Sequence, residues 1–275
     1  MSAPALLRTP APSAAQRHLS AWWVFWALLV RDATVVKREL IFFLLRTAMQ
    51  PLMFTIVFGF LMPRMGLVQR GYTAALLPGV LAVSLALAAV QSVALPLVAD
   101  FGWTKEIEDR LLAPVPSQLI ALEKIIAGAV QGVIAAVFVL PLARLIMGPI
   151  EGLALGNFVE IGTILVLGSI AFSAIGLYLG TVIEGPQVGL MFGLIIAPMI
   201  MFGCAYYPWS GLDHVPAMKY AVLINPLTYV AEGLRAVLVP DRPHMPLVAV
   251  LAGLVIVSLG AWRLGLKAFM KRAVG

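Results

Sequence analysis

The sequence predicts an all-α integral membrane protein with six transmembrane helices. Charged residues make up only 12% of the chain and hydrophobic residues 61%, and the mean hydropathy is +0.99. A soluble domain carries roughly 25% charged residues, so this chain cannot cover a water-exposed surface of its size. Charge-free runs at 71–99, 125–143, 161–183 and 185–212 are each near or above the ~20 residues that a helix needs to cross a bilayer.

These runs favour helices over a β-barrel. Helices and closed barrels are the two structures that satisfy the backbone hydrogen bonds in lipid. A barrel strand needs apolar and polar residues to alternate over roughly 10 residues. The runs here are apolar on every side, so we expect helices.

The chain before the first span is expected to contain a flexible start, at 1–20, and an interfacial helix at 22–43. The apolar stretch Ala21–Val30 is too short to span. A signal peptide is the alternative, but Arg31 and Asp32 follow directly and no small-residue cleavage pattern is present. Tryptophans at headgroup level and basic residues would anchor the helix. The expected anchors are Trp22, Trp23, Trp26, Lys37 and Arg38.

The charge distribution predicts the orientation of the spans. The spans are expected at 44–62, 73–99, 119–146, 158–183, 187–206 and 246–266, all in a single transmembrane domain at 21–270. Thirteen of the 19 Lys and Arg residues then fall on the side of the termini. The richer side is cytoplasmic, so we expect a multi-pass protein of the cytoplasmic (inner) membrane with both termini inside. The net charge of +6 is explained in this way and does not indicate nucleic-acid binding.

A charged segment on the cytoplasmic side predicts a short amphipathic helix at 104–112. Thr104 suits the N-cap, acidic residues crowd the first turns, and Pro114 and Pro116 stop the helix. The alternative is an ordinary solvated loop. The apolar face and the proline exit favour docking to a partner, and a helix across two span ends can move both spans as a rigid body. The expected coupling residues are Lys105, Glu106, Glu108, Asp109, Arg110, Leu111 and Leu112.

The external segment before the last span predicts two short helices, at 212–221 and 226–238. Asn225 suits the N-cap of the second helix and Pro226 its first position. Neither helix is long enough to span, so half-inserted, re-entrant or interfacial helices that close the external end of a passage are expected. A plain hairpin resting on the lipid surface is the alternative. The residues expected to form this gate are Asn225, Pro226, Tyr229, Glu232 and Arg235, of which Glu232 and Arg235 can pair.

Other residue types exclude some kinds of site and leave one question open. The single Cys204 excludes a disulfide within the chain, and the three histidines have no metal-ligand spacing. Glycines recur at four-residue spacing, a pattern that allows close helix packing. They favour packing inside the subunit, with a dimer contact as the alternative. These glycines are Gly128, Gly132, Gly176, Gly180, Gly185, Gly189 and Gly193.

Two motifs resemble the type-2 ATP-binding-cassette (ABC) exporter permeases. The charged loop and its exit, KEIEDRLLAPVPSQLIALEKIIAG at 105–128, resembles the loop after the second span of that family. The segment FGCAYYPWSGLDHVPAMKYAVLINPLTYVAEGLRAVL at 202–238 is similar to its C-terminal signature. The motif matches there are Asn225, Pro226, Leu227, Thr228, Tyr229 and Arg235. The resemblance covers about 22–270 and is nearest to the branch that exports drugs, lipids or glycoconjugates.

The resemblance implies a dimeric membrane unit, homo- or heteromeric, joined to two separate ATPase subunits. Helix 104–112 would then be the coupling helix that sits in a groove of the ATPase. The sequence has no G-x-x-x-x-G-K-[ST] phosphate loop, so we expect no cofactor in this chain and expect ATP and Mg²⁺ in the partner.

The sequence therefore predicts a transport subunit, not an enzyme. An ion-coupled secondary carrier is the first alternative, and it is disfavoured because no Asp or Glu lies in the middle of a span. An intramembrane enzyme is the second alternative. Such an enzyme needs polar catalytic side chains that converge at the end of a span. The only candidates on the outer side are Asp213 and His214, and they are better explained as a surface feature.

Overall fold

The computed structural model describes residues 14–38, 40–68, 71–104 and 116–274. These residues form helices joined by turns, and no strand occurs among them, which confirms the predicted all-α membrane class. The helices are α1 (Ala14–Arg38), α2 (Leu40–Arg64), α3 (Tyr72–Ala99), α4 (Ser117–Met147), α5 (Phe158–Val182), α6 (Gly185–Met201), α7 (Pro216–Ile224), α8 (Pro226–Leu238) and α9 (Leu247–Val274).

Five of the described helices are long and apolar enough to cross a membrane, namely α2, α3, α4, α5 and α9. Helices α7 and α8 meet at an angle of 101° and would make a sixth if the bent pair is counted as one span. Helix α6, where the sequence predicts the fifth span at 187–206, ends earlier, at Met201. Turns occupy the residues that follow, where Gly203 and Pro208 oppose a continuous helix.

Helix α3 is the centre of the bundle. In its most apolar window 89% of the residues are buried, against 22–44% for the other four spanning helices. It packs against α2, α4, α5 and α8. Gly176 and Gly180 allow α5 to lie very close to α3, because a Cβ at either position would come within 2.9 Å of the α3 backbone, at Val90 and Ala94 respectively.

The glycines of four-residue spacing divide into two groups. A Cβ at Gly128 or Gly132 would crowd Ser173 or Ser169 of α5, at 2.8 Å in each case, so these glycines serve packing inside the subunit. Gly189 and Gly193 of α6 face open space instead. Internal packing therefore accounts for Gly128, Gly132, Gly176 and Gly180, whereas a Cβ at Gly189 or Gly193 would meet no atom of the described residues.

The N-terminal helix includes residues that the sequence places in a flexible start. Residues 14–20, expected in a flexible start, are the first turns of α1, and 1–13 lie outside the described residues. Helices α1 and α2 are described up to Arg38 and from Leu40, with residue 39 outside the described residues.

Candidate functional site

Helix α8 is buried inside the bundle. It packs against α3, α5 and α9, and ten of its thirteen residues are buried. The apolar stripe predicted along it, Leu227, Val230, Leu234 and Val237, is 0–1% exposed. A hairpin resting on the lipid surface would leave one face of this helix uncovered, so the geometry favours a helix inserted among the spans.

Glu232 and Arg235 form a fully buried ion pair on α8. The Glu232 carboxylate also accepts hydrogen bonds from two backbone amides, that of Trp209 at 2.8 Å and that of Met245 at 2.9 Å. A buried charge is tolerated when it is paired and its remaining lone pairs are satisfied. One carboxylate therefore holds together the loop before α7, the helix α8 and the chain entering α9.

The Arg235 guanidinium extends the same network to α3. Its Nη2 donates to the carbonyl oxygen of Ala75 at 3.0 Å and to that of Cys204 at 3.1 Å, and its Nε donates to Ala75 at 3.3 Å. Gly79, one turn further along α3, lies directly against the backbone of Ala205 and has no room for a side chain. The turn at 202–208 is therefore fixed to the start of α3.

The bend between α7 and α8 is fixed by Asn225 and Tyr229. The Asn225 side chain caps α8 by accepting from the Leu227 amide at 3.0 Å, and its Nδ2 donates to the Met199 carbonyl at 2.6 Å. Pro226 occupies the first helical position. The Tyr229 hydroxyl donates to the Leu223 carbonyl at 2.8 Å while its ring lies against Gly253 of α9. The five predicted gate residues thus meet in one structural unit.

Aromatic side chains and an exposed ion pair border this unit. Trp209 Nε1 donates to the Lys219 carbonyl at 3.0 Å, and the Lys219 ammonium lies 4.2 Å from the centre of the Trp209 ring. Lys219 also pairs with Asp213 at 2.6 Å. Burial raises the pKa of the Tyr207 phenol, and the nearby Cys204 raises it further, so Tyr207 stays a neutral donor to the Met201 carbonyl.

The predicted coupling residues at 105–112 lie outside the described residues. The chain on either side is described. Helix α3 continues into a wide π-type turn, Asp100–Thr104, and α4 starts at Ser117 directly after Pro116. The ring of Phe101 lies 6.0 Å from that of Phe269, and the Arg272 guanidinium lies 4.6 Å from the centre of the Phe101 ring. This end of α3 is thereby tied to α9.

The expected anchors of α1 face outward. Trp22, Trp23 and Trp26 are 55–77% exposed, and Lys37 and Arg38 are exposed as well. On the opposite side of α1, Asp32 pairs with Lys124 of α4 at 2.7 Å. The sequence did not predict this pair, because the two residues are 92 positions apart and no spacing rule relates them.

The sequence matches one known protein family over most of its length. The sequence pattern of the family described as ABC-2 type transporter matches residues 24–239, which is most of the chain. The chain belongs to the ABC-2 type transporter family. No curated protein and no solved structure gave a significant match.

As a member of that family, the chain is a membrane-embedded permease of an ABC transporter. The match covers both sequence motifs and ends at residue 239, just after α8. Among the described residues of the permease, no group of three His, Cys, Asp or Glu side chains could hold a metal ion.

Two carboxylates of the permease, Glu123 and Glu232, are completely buried. Hydropathy did not predict this burial, because Glu123 lies near the start of a predicted span and Glu232 lies in a short helix outside the predicted spans. Each is close to a cation: Glu232 pairs with Arg235, and Glu123 lies 3.6 Å from the Lys124 ammonium. Buried carboxylates beside cations are typical of structural ion pairs.

Proposed function

We propose that this permease is the membrane subunit of an exporter driven by ATP hydrolysis in separate ABC ATPase chains. The family match over residues 24–239 is the observation that carries the proposal. The cargo class that suits such apolar spans is an amphipathic molecule: a hydrophobic drug, a lipid or a glycoconjugate. Two permease copies and two ATPases would make the working unit, with both permease termini on the cytoplasmic side of the inner membrane.

Segment 104–112 is the proposed point of contact with the ATPase. It joins the end of α3 to the start of α4, and α3 is the most buried helix of the bundle. The Phe101–Phe269 and Arg272–Phe101 contacts extend the connection to α9. A push on this segment would therefore act on three spanning helices together, since packed helices move as rigid bodies.

The bent pair α7–α8 is the proposed external gate. Its network fastens the turn at 202–208, the start of α3 and the chain entering α9 to one buried ion pair. Because these contacts join the elements of the gate to one another, the gate can move as a rigid body when the spanning helices shift. Opening would occur by displacement of the whole unit, with the Glu232–Arg235 pair kept intact.

The outer face of α6 is the proposed contact with the second permease copy. Leu190 and Leu194 are 60% and 72% exposed, and Gly189 and Gly193 beside them face open space. Small residues at four-residue spacing allow a second helix to approach closely.

The experiment that tests the proposed function isolates the tagged permease from its own membranes and identifies what copurifies. We expect an ABC ATPase to be recovered with the native chain. The triple variant Glu106→Ala, Glu108→Ala, Arg110→Ala should recover about tenfold less, because losing about 1.4 kcal/mol of interfacial charge contacts lowers the affinity by that factor.

The matched control is Arg144→Ala with Glu151→Ala, which removes charges at the opposite ends of the spans and should leave ATPase recovery unchanged. The proposal is wrong if the native chain brings down no ATPase. The assignment of the coupling segment alone is wrong if the triple variant recovers as much ATPase as the native chain.

A further inference from the structure

A polar cavity lies between α1 and the spanning helices, at the end of the bundle where α3 ends and α4 begins. Its volume is about 520 Å³, within the usual range of ligand sites. Helix α1 forms one wall, and α2, α3 and α4 form the others. The charged side chains that line it are Arg31, Arg46, Lys124, Asp32 and Asp100.

Three cations and two carboxylates line this cavity, and most of these charges have a partner nearby. Lys124 is engaged with Asp32 at 2.7 Å. Arg46 is different, since it is exposed and no carboxylate or carbonyl pairs with it among the described residues. It lies six residues into α2, about 9 Å along the helix axis from Leu40. An unpaired guanidinium in a helix that is apolar enough to span is stabilised by an anion.

Two glutamines also favour a polar ligand in this cavity. Gln91 of α3 and Gln131 of α4 line the cavity, and neither amide makes a side-chain hydrogen bond within the described part of the chain. Amides in a spanning helix are costly unless they find polar partners. The cavity thus combines one unpaired cation with two amides that could donate to oxygen atoms.

A second, apolar cavity of about 400 Å³ adjoins the first. The two share Asp32, Val36, Ala127 and Gln131 in their linings, so these residues separate two neighbouring spaces. The lining of the second is mostly hydrocarbon, with residues such as Leu29, Val30 and Ile134. Trp26 also lines it, and the exposed tryptophans of α1 are typical of the headgroup level of a bilayer.

We propose that this pair of cavities binds one anionic phospholipid of the surrounding leaflet. Its phosphodiester would meet Arg46 and the amides of Gln91 and Gln131, and an acyl chain would lie along the apolar cavity. The Arg46 guanidinium would pair with the single negative charge of a phosphodiester. The hydrocarbon lining of the second cavity favours a membrane lipid over a soluble phosphate. The site would fix α1 against α2, α3 and α4.

The test measures lipid retention by native mass spectrometry of the full chain released from nanodiscs, without ATPase or nucleotide. In nanodiscs that contain phosphatidylglycerol, we expect one lipid to stay bound to the native chain. Arg46→Gln should lower its retention about tenfold, since charge-assisted hydrogen bonds to phosphate are among the stronger polar contacts. Arg144→Gln, which removes an exposed cation at the other end of α4, should leave retention unchanged.

Further arms distinguish the chemistry of the ligand. Diacylglycerol, which has the tails and no phosphate, should be retained about tenfold less than phosphatidylglycerol, and inorganic phosphate should not displace the lipid. Ala127→Trp, which fills the shared lining, should also exclude the lipid while Arg46 is intact. The proposal is overturned if diacylglycerol is retained equally, if inorganic phosphate displaces the lipid, or if neither variant lowers retention. It is also overturned if Arg144→Gln lowers retention as much as Arg46→Gln. Because no ATPase is present, these outcomes are independent of the proposed transport function.

Discussion

At the scale of single residues, Glu232 is the side chain on which the external unit most depends. It accepts from the Arg235 guanidinium and from the amides of Trp209 and Met245, all in a buried environment. Removing one member of such a group leaves the others without partners, and that loss exceeds the value of any single contact.

Glu232→Ala is therefore expected to lower the stability of the permease by about 3–5 kcal/mol, because it leaves the buried Arg235 charge uncompensated. Thermal unfolding of the purified chain in detergent measures this effect. The control is Lys219→Ala, which breaks an ion pair in which Asp213 is 59% exposed and should cost at most about 1 kcal/mol. Equal shifts for the two variants would contradict a structural role for the buried pair.

The single cysteine reports on the same network. Cys204 is fully buried, and its carbonyl oxygen accepts from Arg235. We expect a maleimide to label the native chain in membranes very slowly, and to label Arg235→Ala at least ~10-fold faster because the turn at 202–208 is released. Mass spectrometry after timed labelling measures the two labelling rates. Rapid labelling of the native chain would show that the turn is not held as described.

At the scale of elements, helix ends that are set by a local cap were easier to predict from the sequence than helix ends that depend on contacts with distant residues. Asn225 followed by Pro226 has a local cause for a break, and the structure has α8 begin there with the expected cap. The partners of Arg235 are carbonyls of distant turns, which no residue pattern encodes. The end of α6 at Met201, five residues before the predicted end of the fifth span, shows that hydropathy alone is a weak guide to helix ends.

The cap at Asn225 gives an element-scale prediction with a control inside the chain. Asn225→Ala should cost about 1–2 kcal/mol, because it removes both the cap to Leu227 and the bond to Met199. Asn157 occupies the equivalent position before α5 but makes no side-chain cap bond. Asn157→Ala should therefore change the Tm little in the same unfolding experiment. A larger loss for Asn157→Ala would contradict the capping account.

At the scale of the whole molecule, the fold class and the family followed from composition and two motifs, and both are confirmed. The cavity beneath α1 could not be predicted, because Arg46, Gln91 and Gln131 are far apart in sequence and each alone has an ordinary explanation. The proposed assembly adds a second permease at α6 and an ATPase at 104–112. These two surfaces lie on different parts of the chain, so they can be tested separately.

The α6 surface predicts a cross-link between two copies. In a Cys204→Ala background, Gly193→Cys should form a disulfide-linked dimer on mild oxidation in membranes, because this position faces open space beside Leu194. Gly162→Cys on α5 also faces open space and serves as the control that should stay monomeric. Equal dimer formation at both positions would indicate random collision and would contradict the proposed contact at α6.

The central claim is that ATP hydrolysis elsewhere moves these spans through segment 104–112. The most direct measurement is the Gly193→Cys cross-link yield in native membranes with and without ATP and vanadate, which traps the ATPase. We predict that trapping changes the yield at least ~3-fold, and that the triple variant Glu106→Ala, Glu108→Ala, Arg110→Ala abolishes the change. A yield that is the same with and without nucleotide in the native background would contradict the account.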